Sequence, residues 1–282
     1  MATFDASVMT FLYIKRIPFL DGEKWHSILS SIQLPCLLHL EVGHGVYISW
    51  ATYISFVNRH STIRCLELGH HAVSYSSNSL NLHIKPRSRE SVSDLSANFV
   101  NNLERLYASS RFIYLFLRSN PDPLPNLRHI YFGPKLQRRG HMFERPKVDE
   151  EVETLFDFAI LESALKTVGG WVHDVEIVGL TLPGGEGAKN WLASSTTAGI
   201  PKLHVQRFVI VTERGIPFSR SIIQLLVDWI VSMFLTTKLR SVELKPWVIV
   251  GWFERTKFEN RISVATGGRV VVDFSHRMEI FD

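Results

Sequence analysis

The sequence predicts an α/β solenoid, a curved parallel sheet in which each strand is followed by a helix on the convex side. Three observations lead to this fold class. The pattern apolar-x-x-apolar-x-apolar recurs along the 282 residues, most recurrences lie 26 to 34 residues apart, and helical patterns fill the intervals. Such a period fits one strand-plus-helix unit per repeat. Units of this kind stack because none can bury its apolar face alone.

The clearest repeat is a five-residue phrase. Residues 40–44 read LEVGH, and residues 66–70 read LELGH, 26 residues later. Each phrase ends a copy of the apolar pattern, which predicts a strand there. A degenerate strand at Leu80–Ile84 and a partial one at Val272–Phe274 complete the series. The seven full copies are Met9/Leu12/Ile14, Leu37/Leu40/Val42, Ile63/Leu66/Leu68, Leu127/Ile130/Phe132, Val172/Val175/Ile177, Val205/Phe208/Ile210 and Leu239/Val242/Leu244.

Helical patterns occupy the segments between the strands, so strand and helix alternate as in a parallel α/β protein. We expect Gly169 and Gly170 to end one of these helices. We also expect a single domain over residues 1–282, with irregular insertions at about 72–110 and 135–150. The predicted helices cover residues 21–32, a segment capped by Ser49, residues 95–106 behind a capping box at 91–94, residues 149–168 and residues 218–236.

Composition limits the class of protein. With 45% hydrophobic and 21% charged residues, and a net charge of +4 without a Lys/Arg run, the chain predicts a folded protein that binds no nucleic acid. The most apolar stretch, residues 222–235, contains Gln224 and Asp228 and is shorter than the roughly 20 residues of a membrane span. No signal peptide is expected at the amino terminus. The sequence therefore predicts an intracellular protein, cytoplasmic or nuclear, without a membrane partner.

Catalytic and metal-binding motifs are sparse. His70 and His71 are adjacent, and neighbouring residues of a strand point to opposite faces, so they would chelate a metal poorly. Cys36 and Cys65 fall three residues out of register, which predicts two free thiols. Residues 183–190 lack the full phosphate-loop pattern, and no nucleophile elbow occurs. The sequence thus predicts no catalytic, cofactor-binding or metal-binding residue and no enzyme, although a cryptic α/β enzyme remains an alternative.

Four segments resemble a known family. Residues 34–42 (LPCLLHLEV) and 124–132 (LPNLRHIYF) look like leucine-rich repeats. Residues 56–66 (FVNRHSTIRCL) and 239–247 (LRSVELKPW) are similar to phrases in the irregular repeat regions of fungal F-box-like proteins. No counterpart of the F-box itself is visible. The resemblance implies a leucine-rich-repeat-like solenoid and a non-catalytic protein-interaction module.

The resemblance implies more specifically the substrate-recognition region of an F-box-like ubiquitin-ligase receptor, with protein partners and no cofactor. A free-standing leucine-rich-repeat scaffold unrelated to ubiquitin is the alternative. The first predicted strand begins by Met9, and nothing upstream covers Phe4, Val8 or Phe11. Because a terminal repeat exposes an apolar edge, we expect self-association or a covering domain at the amino-terminal edge.

The repeat register also predicts an interaction surface. The third and fifth positions of the pattern point away from the core, to the concave face of the sheet. Acidic and aromatic side chains therefore share this face, where like charges on neighbouring strands repel unless something compensates them. Two interpretations stay open: helices and loops supply that compensation, or the face docks a basic or mixed protein surface. The candidate residues are Tyr13, His39, Glu41, Glu67, His129, Tyr131, Asp174, Glu176, Arg207 and Glu243.

Overall fold

The structure is a computed structural model. Contacts divide the chain into two units, residues 1–127 and residues 128–282, and each is described by itself. The prediction of a single domain stays a prediction. The structure describes residues 8–15, 22–43, 46, 48–69, 73–74, 95–119, 124–133, 158–171, 175–182, 186–194, 205–212, 220–234, 239–244 and 252–274.

Unit 1 alternates strands and helices. Its main strands are parallel in the order β1-β2-β4-β6, so each strand lies beside the next one along the chain. Two further short strands, β3 and β5, form their own parallel pair. The elements are β1 (Phe11–Ile14), α1 (Gly22–Ser31), β2 (His39–Val42), β3 (Ile48–Ser49), α2 (Trp50–Arg59), β4 (Cys65–Leu68), β5 (Val73–Ser74), α3 (Ala97–Asn102), β6 (Arg105–Ala108) and α4 (Ser110–Ser119).

Unit 2 repeats the same alternation with longer helices. Its strands are parallel in chain order, β7 through β11. The predicted α/β fold class, parallel strands in repeated strand-plus-helix units, is therefore confirmed. The elements are β7 (His129–Phe132), α5 (Phe158–Trp171), β8 (Ile177–Leu182), α6 (Glu186–Ser194), β9 (Arg207–Thr212), α7 (Arg220–Phe234), β10 (Ser241–Leu244), α8 (Trp252–Thr266) and β11 (Val271–Asp273).

Six strands, β2, β4, β6, β8, β9 and β10, begin with the same backbone arrangement. One carbonyl oxygen just before a strand accepts hydrogen bonds from two consecutive N–H groups at the start of the next of these strands. The Leu38 carbonyl accepts from Arg64 and Cys65, and in unit 2 the Glu176 carbonyl accepts from Gln206 and Arg207. Because the acceptor is always the second position of the apolar pattern, this arrangement fixes the register of every repeat that contains it.

The core follows the apolar positions of the pattern. Leu40 pairs with Leu66 across β2 and β4, and both side chains are fully buried. Ser49 caps α2 as predicted, since its hydroxyl oxygen accepts from the Thr52 N–H at 3.2 Å. None of the helices in the described ranges has both the length and the apolar character needed to cross a membrane.

Several predicted elements need correction. The next strand after β4 in the main sheet is Arg105–Ala108, within the range predicted as an irregular insertion. A helix at Ala97–Asn102 precedes it. Helix α5 continues through Gly169 and Gly170 to Trp171, because a glycine permits a helix end without requiring one. Val175 is not the centre of a strand; Val178 is, since it pairs with both Ile130 and Phe208. The predicted strand at 80–84 and the insertion at 135–150 lie outside the described residues.

A buried histidine joins two repeats of unit 1. His60 is 3% exposed and occupies the place that Leu34 and Leu124 fill before other strands. The Leu34 N–H donates to its Nε2 at 3.0 Å, and its Nδ1 donates to the Phe56 carbonyl at 2.7 Å. These two partners require the neutral tautomer with the proton on Nδ1. A second proton would remove the acceptor that the Leu34 N–H needs.

Stability should therefore fall as the pH falls through the range where histidine titrates. Burial, assisted by the neighbouring Arg59 and opposed by the bond to Phe56, lowers the pKa of His60 below its ordinary value of 6.5. Below pH 6.5 the unfolded chain takes up this proton before the folded chain does, so protons favour unfolding. We expect the wild type to lose more stability between pH 7.5 and pH 5 than His60→Leu does, measured by urea unfolding. Equal losses would contradict the role of His60.

Candidate functional site

The third and fifth positions of the pattern in unit 1 form one face of its sheet, the side opposite the buried Leu40 and Leu66. We call this surface the polar face. The strand register places Glu41 directly opposite Glu67, and Tyr13 directly opposite Glu41. The residues of the polar face are Phe11, Tyr13, His39, Glu41, Cys65, Glu67, Arg105 and Tyr107.

Exposure changes across the polar face. Phe11 and Tyr13 on β1 are 45% and 40% exposed, whereas Glu67 is only 4% exposed. His39 and Glu41, on the strand between them, are partly exposed. Glu67 lies on the face opposite the core, as the repeat register predicts, but it is buried rather than exposed to solvent. The accessible part of the face is the side near β1.

His39, Cys65 and Glu67 meet on this face. His39 Nε2 lies 3.1 Å from Glu67 Oε1, and the Cys65 thiol donates to the same oxygen at 3.9 Å. His39 and Glu67 lie diagonally across the two strands. His39 is at the third position of the repeat pattern on β2, and Glu67 is at the fifth position of the pattern on β4. The Phe11 ring meets the His39 ring edge-on, with centroids 4.7 Å apart, and so restricts its orientation.

The same diagonal pairing occurs in unit 2. Arg207 is at the third position of the repeat pattern on β9. It donates to Glu243 Oε2 through Nε at 3.0 Å and also through Nη2. Glu243, at the fifth position of the repeat pattern on β10, is 2% exposed. In both units a glutamate thus contacts a histidine or arginine side chain on the preceding strand. This supports the interpretation that such glutamates are structural, although the compensation comes from the sheet rather than from helices or loops.

Glu176 is not on the equivalent face of unit 2. It lies just before β8, at the second position of its repeat, since its N–H donates to the Arg128 carbonyl. Its carboxylate contacts Arg128 at 3.2 Å and His129 at 3.4 Å. An Arg64–Glu104 pair at 3.2 Å occupies the equivalent place in unit 1. The placement of Glu176 on the interaction face was wrong, and Asp174 lies outside the described residues.

Tyr131 packs over a glycine on the next strand. Tyr131 pairs with Gly179, and a Cβ atom on Gly179 would lie 1.9 Å from Cδ1 of the tyrosine ring. The ring therefore uses the space that a glycine leaves. Gly179 is the fifth position of its repeat, so this strand carries no side chain there.

Gly179→Ala should destabilise the protein by about 1–3 kcal/mol, because the added methyl group forces the Tyr131 ring to move. In a Tyr131→Ser background the same change should cost little. A double-mutant cycle measured by denaturant unfolding tests the coupling. Additive effects of the two substitutions would contradict the packing described.

Four members of the polar face were not predicted as site residues from the sequence: Phe11, Cys65, Arg105 and Tyr107. Phe11 was considered only as part of an uncovered amino-terminal edge. Cys65 was placed on this face but judged only as a potential disulfide partner. Arg105 and Tyr107 were missed because the strand that carries them was assigned to a helix. The triplet Leu103/Leu106/Ala108 fits the repeat pattern and could have revealed that strand.

The cluster of His39, Cys65 and Glu67 differs from a nucleophilic triad. In a triad the imidazole lies between the nucleophile and the carboxylate, so that it can accept the proton of the nucleophile. Here one carboxylate oxygen contacts both the thiol and the imidazole. The arrangement therefore places three ligand-type atoms together on one face of the sheet.

Parallel strand-plus-helix repeats with a polar face define the chain as an α/β repeat protein. No family model and no curated protein matches the chain. Among solved structures, it is similar to a chain in the crystal structure of the Rad7–Elc1 complex in yeast, with a TM-score of 0.36 and 14% identity. The match covers 90% of this chain and 60% of the other.

Proposed function

We propose that the chain is a non-catalytic protein-interaction module that binds its partner through the exposed side of the polar face, formed by Phe11, Tyr13, His39 and Glu41. The exposure of two aromatic side chains on one strand, 45% for Phe11 and 40% for Tyr13, carries this proposal. Aromatic side chains are enriched at protein interfaces, where they bury a large area at a low cost in conformational entropy.

The chemistry of this surface favours a basic or mixed protein segment as the partner. Tyr13 and Glu41 lie side by side on neighbouring strands, and Glu67 adds a second carboxylate beyond them. A lysine or arginine side chain of the partner can contact the tyrosine ring and pair with the Glu41 carboxylate in the same position. An acidic partner would meet like charge here.

In the finer proposal, the bound protein is the substrate of an F-box-like ubiquitin ligase, and this chain is the recognition region of an intracellular receptor. The support for this context is the sequence resemblance of the repeats. A free-standing scaffold that binds through the same face is the alternative. Both differ from a cryptic α/β enzyme, for which the sequence supplies neither a complete phosphate-loop pattern nor a nucleophile elbow.

Affinity purification with matched variants tests the binding surface. The tagged wild type, Phe11→Ala/Tyr13→Ala and Tyr114→Ala would be expressed in native cells, and the proteins that co-purify would be quantified by mass spectrometry. Tyr114 is a partly exposed tyrosine on α4 and serves as the matched control. We expect the double variant to lose a partner that the control retains. Equal recovery by all three proteins would overturn the proposed surface.

Deleting the gene for this chain distinguishes a ubiquitin-ligase receptor from a free-standing scaffold. If the chain recognises ubiquitin-ligase substrates, its partner should accumulate and become longer-lived, and a ligase adaptor should co-purify with the wild type. If the chain is a scaffold, the partner should keep its normal lifetime and no adaptor should be recovered.

A further inference from the structure

We propose that His39, Cys65 and Glu67 form a zinc-binding site on the polar face of unit 1. The three residues offer one imidazole nitrogen, one thiol sulfur and one carboxylate oxygen, and these atoms lie within 4.8 Å of one another. The site shares His39 with the proposed binding surface, but its argument rests on the ligand geometry of the three side chains and requires no protein partner.

The distances fit a tetrahedral ion after small side-chain movements. With bonds of about 2.0–2.3 Å from zinc to nitrogen, oxygen and sulfur, the ligand atoms of a tetrahedral site lie about 3.3–3.6 Å apart. Here the nitrogen–oxygen distance is 3.1 Å, the sulfur–oxygen distance is 3.9 Å and all three atoms lie within 4.8 Å of one another. The first two distances differ from the required value by a few tenths of an ångström, and the nitrogen–sulfur distance by no more than about 1.5 Å, which rotation about the side-chain bonds of His39 and Cys65 can supply.

The strands hold the ligands in place without zinc. His39 and Cys65 are directly paired on β2 and β4, and Glu67 follows two residues later on the same face of β4. The edge-on contact with Phe11 restricts the His39 ring. A preorganised set of ligands loses little conformational entropy when the ion binds.

The local charge also favours a dication. Glu67 is 4% exposed, and Glu41 lies directly opposite it on the neighbouring strand. Directly opposed carboxylates repel, and a buried carboxylate needs a compensating charge. In unit 2 the corresponding diagonal position holds Arg207, a permanent cation. Unit 1 has histidine there instead, a residue that can bind a metal through its neutral imidazole.

The ligand types select the metal. A thiolate combined with an imidazole and one carboxylate suits zinc, whereas magnesium and calcium require oxygen ligands only. Three protein ligands leave the fourth tetrahedral position open, and the His39 side chain is 28% exposed. A water molecule, or a side chain of a bound partner, would occupy that position.

Cobalt substitution tests the site on the whole chain. Apo protein would be titrated with Co²⁺, whose bond to a thiolate gives a charge-transfer absorption band, and Zn²⁺ would then compete for the site. We expect the wild type and Cys36→Ser to show the band at one equivalent of Co²⁺, and Cys65→Ser to lack it. Cys36 is the matched control because it is the other of the two cysteines and lies exposed outside the cluster.

Two further measurements keep the outcome clear if Cys65→Ser folds poorly. Glu67→Gln should retain the band but weaken zinc binding at least about tenfold, because the carboxylate ligand is lost. In the wild type, Zn²⁺ should protect Cys65 from alkylation while Cys36 stays reactive, as read by mass spectrometry. A missing band in the folded wild type, a band that persists in Cys65→Ser, or equal alkylation of both cysteines would overturn the site.

Discussion

Leu66→Ala is expected to lower the free energy of unfolding by about 2–5 kcal/mol, the usual cost of truncating a leucine in a packed interior. Leu66 is fully buried and lies at the centre of β4, paired with Leu40 on one side and Leu106 on the other. Removing its side chain would leave a cavity between neighbouring repeats of unit 1. Denaturant unfolding followed by circular dichroism measures the loss.

Leu38→Ala is the matched control for that experiment. Leu38 is also a leucine beside a strand of unit 1, but its side chain is 40% exposed. Its truncation should change stability by no more than about 0.5 kcal/mol. Comparable losses for the two variants would contradict the burial of Leu66 between neighbouring repeats, because an exposed leucine contributes little to packing.

Arg207→Met is expected to destabilise the protein by about 2–4 kcal/mol, because it leaves the buried Glu243 carboxylate without this partner. The expected value lies below that for a fully buried pair, since the Arg207 side chain is 30% exposed. The methionine keeps much of the apolar volume of arginine, so the loss reports mainly on charge. Urea unfolding at pH 7 gives the difference.

Arg64→Met provides the comparison for the ion pair. Arg64 contacts Glu104 at 3.2 Å, but the two side chains are 60% and 41% exposed. Exposed pairs of this kind contribute about 0–1 kcal/mol. A loss for Arg64→Met as large as that for Arg207→Met would contradict the assignment of Glu243 as a buried, compensated charge.

The sequence was sufficient to predict the fold class and the register around Leu40 and Leu66. Both segments carry the same phrase, and the two leucines are directly paired in the sheet. A parallel repeat places equivalent residues side by side, so a repeated phrase reports the register directly. Where the phrase is conserved between neighbouring repeats, the third and fifth positions were also placed correctly.

The predicted strand register was wrong around Val175, where the apolar pattern fits the sequence in two ways. Val172/Val175/Ile177 and Val175/Val178/Leu180 satisfy the same pattern three residues apart. The structure uses the second, which moves Glu176 from the face of the sheet to the start of the strand. Apolar spacing alone could not distinguish the two, because the choice depends on the pairing with neighbouring strands.

The strand at Arg105–Ala108 was missed for a related reason. Phe99, Leu103 and Leu106 are spaced four and three residues apart, as on one face of a helix. In the structure the helix ends at Asn102, and Leu103 and Leu106 belong to the next repeat. A short helix followed at once by a strand can imitate a longer helix in sequence.

Burial of Glu67 and Glu243 could not be predicted from the sequence. Both are at positions that point away from the core, where an acidic residue ordinarily faces water. Each contacts a side chain that lies diagonally across the sheet, His39 for Glu67 and Arg207 for Glu243. That pairing depends on the register between strands and on what covers the face, which are properties of the folded protein.

Photo-cross-linking from the polar face tests the central claim, that this face binds a protein partner, most directly. A photoreactive phenylalanine analogue would replace Tyr13, or Val264 on α8 as the control, because Tyr13 is 40% and Val264 82% exposed. After irradiation of native cells, cross-linked proteins would be identified by mass spectrometry. The account predicts one discrete adduct from position 13, formed with a partner segment rich in lysine or arginine. The same adduct should be absent when the analogue is at position 264. An adduct of that partner from position 264 but not from position 13 would contradict the account.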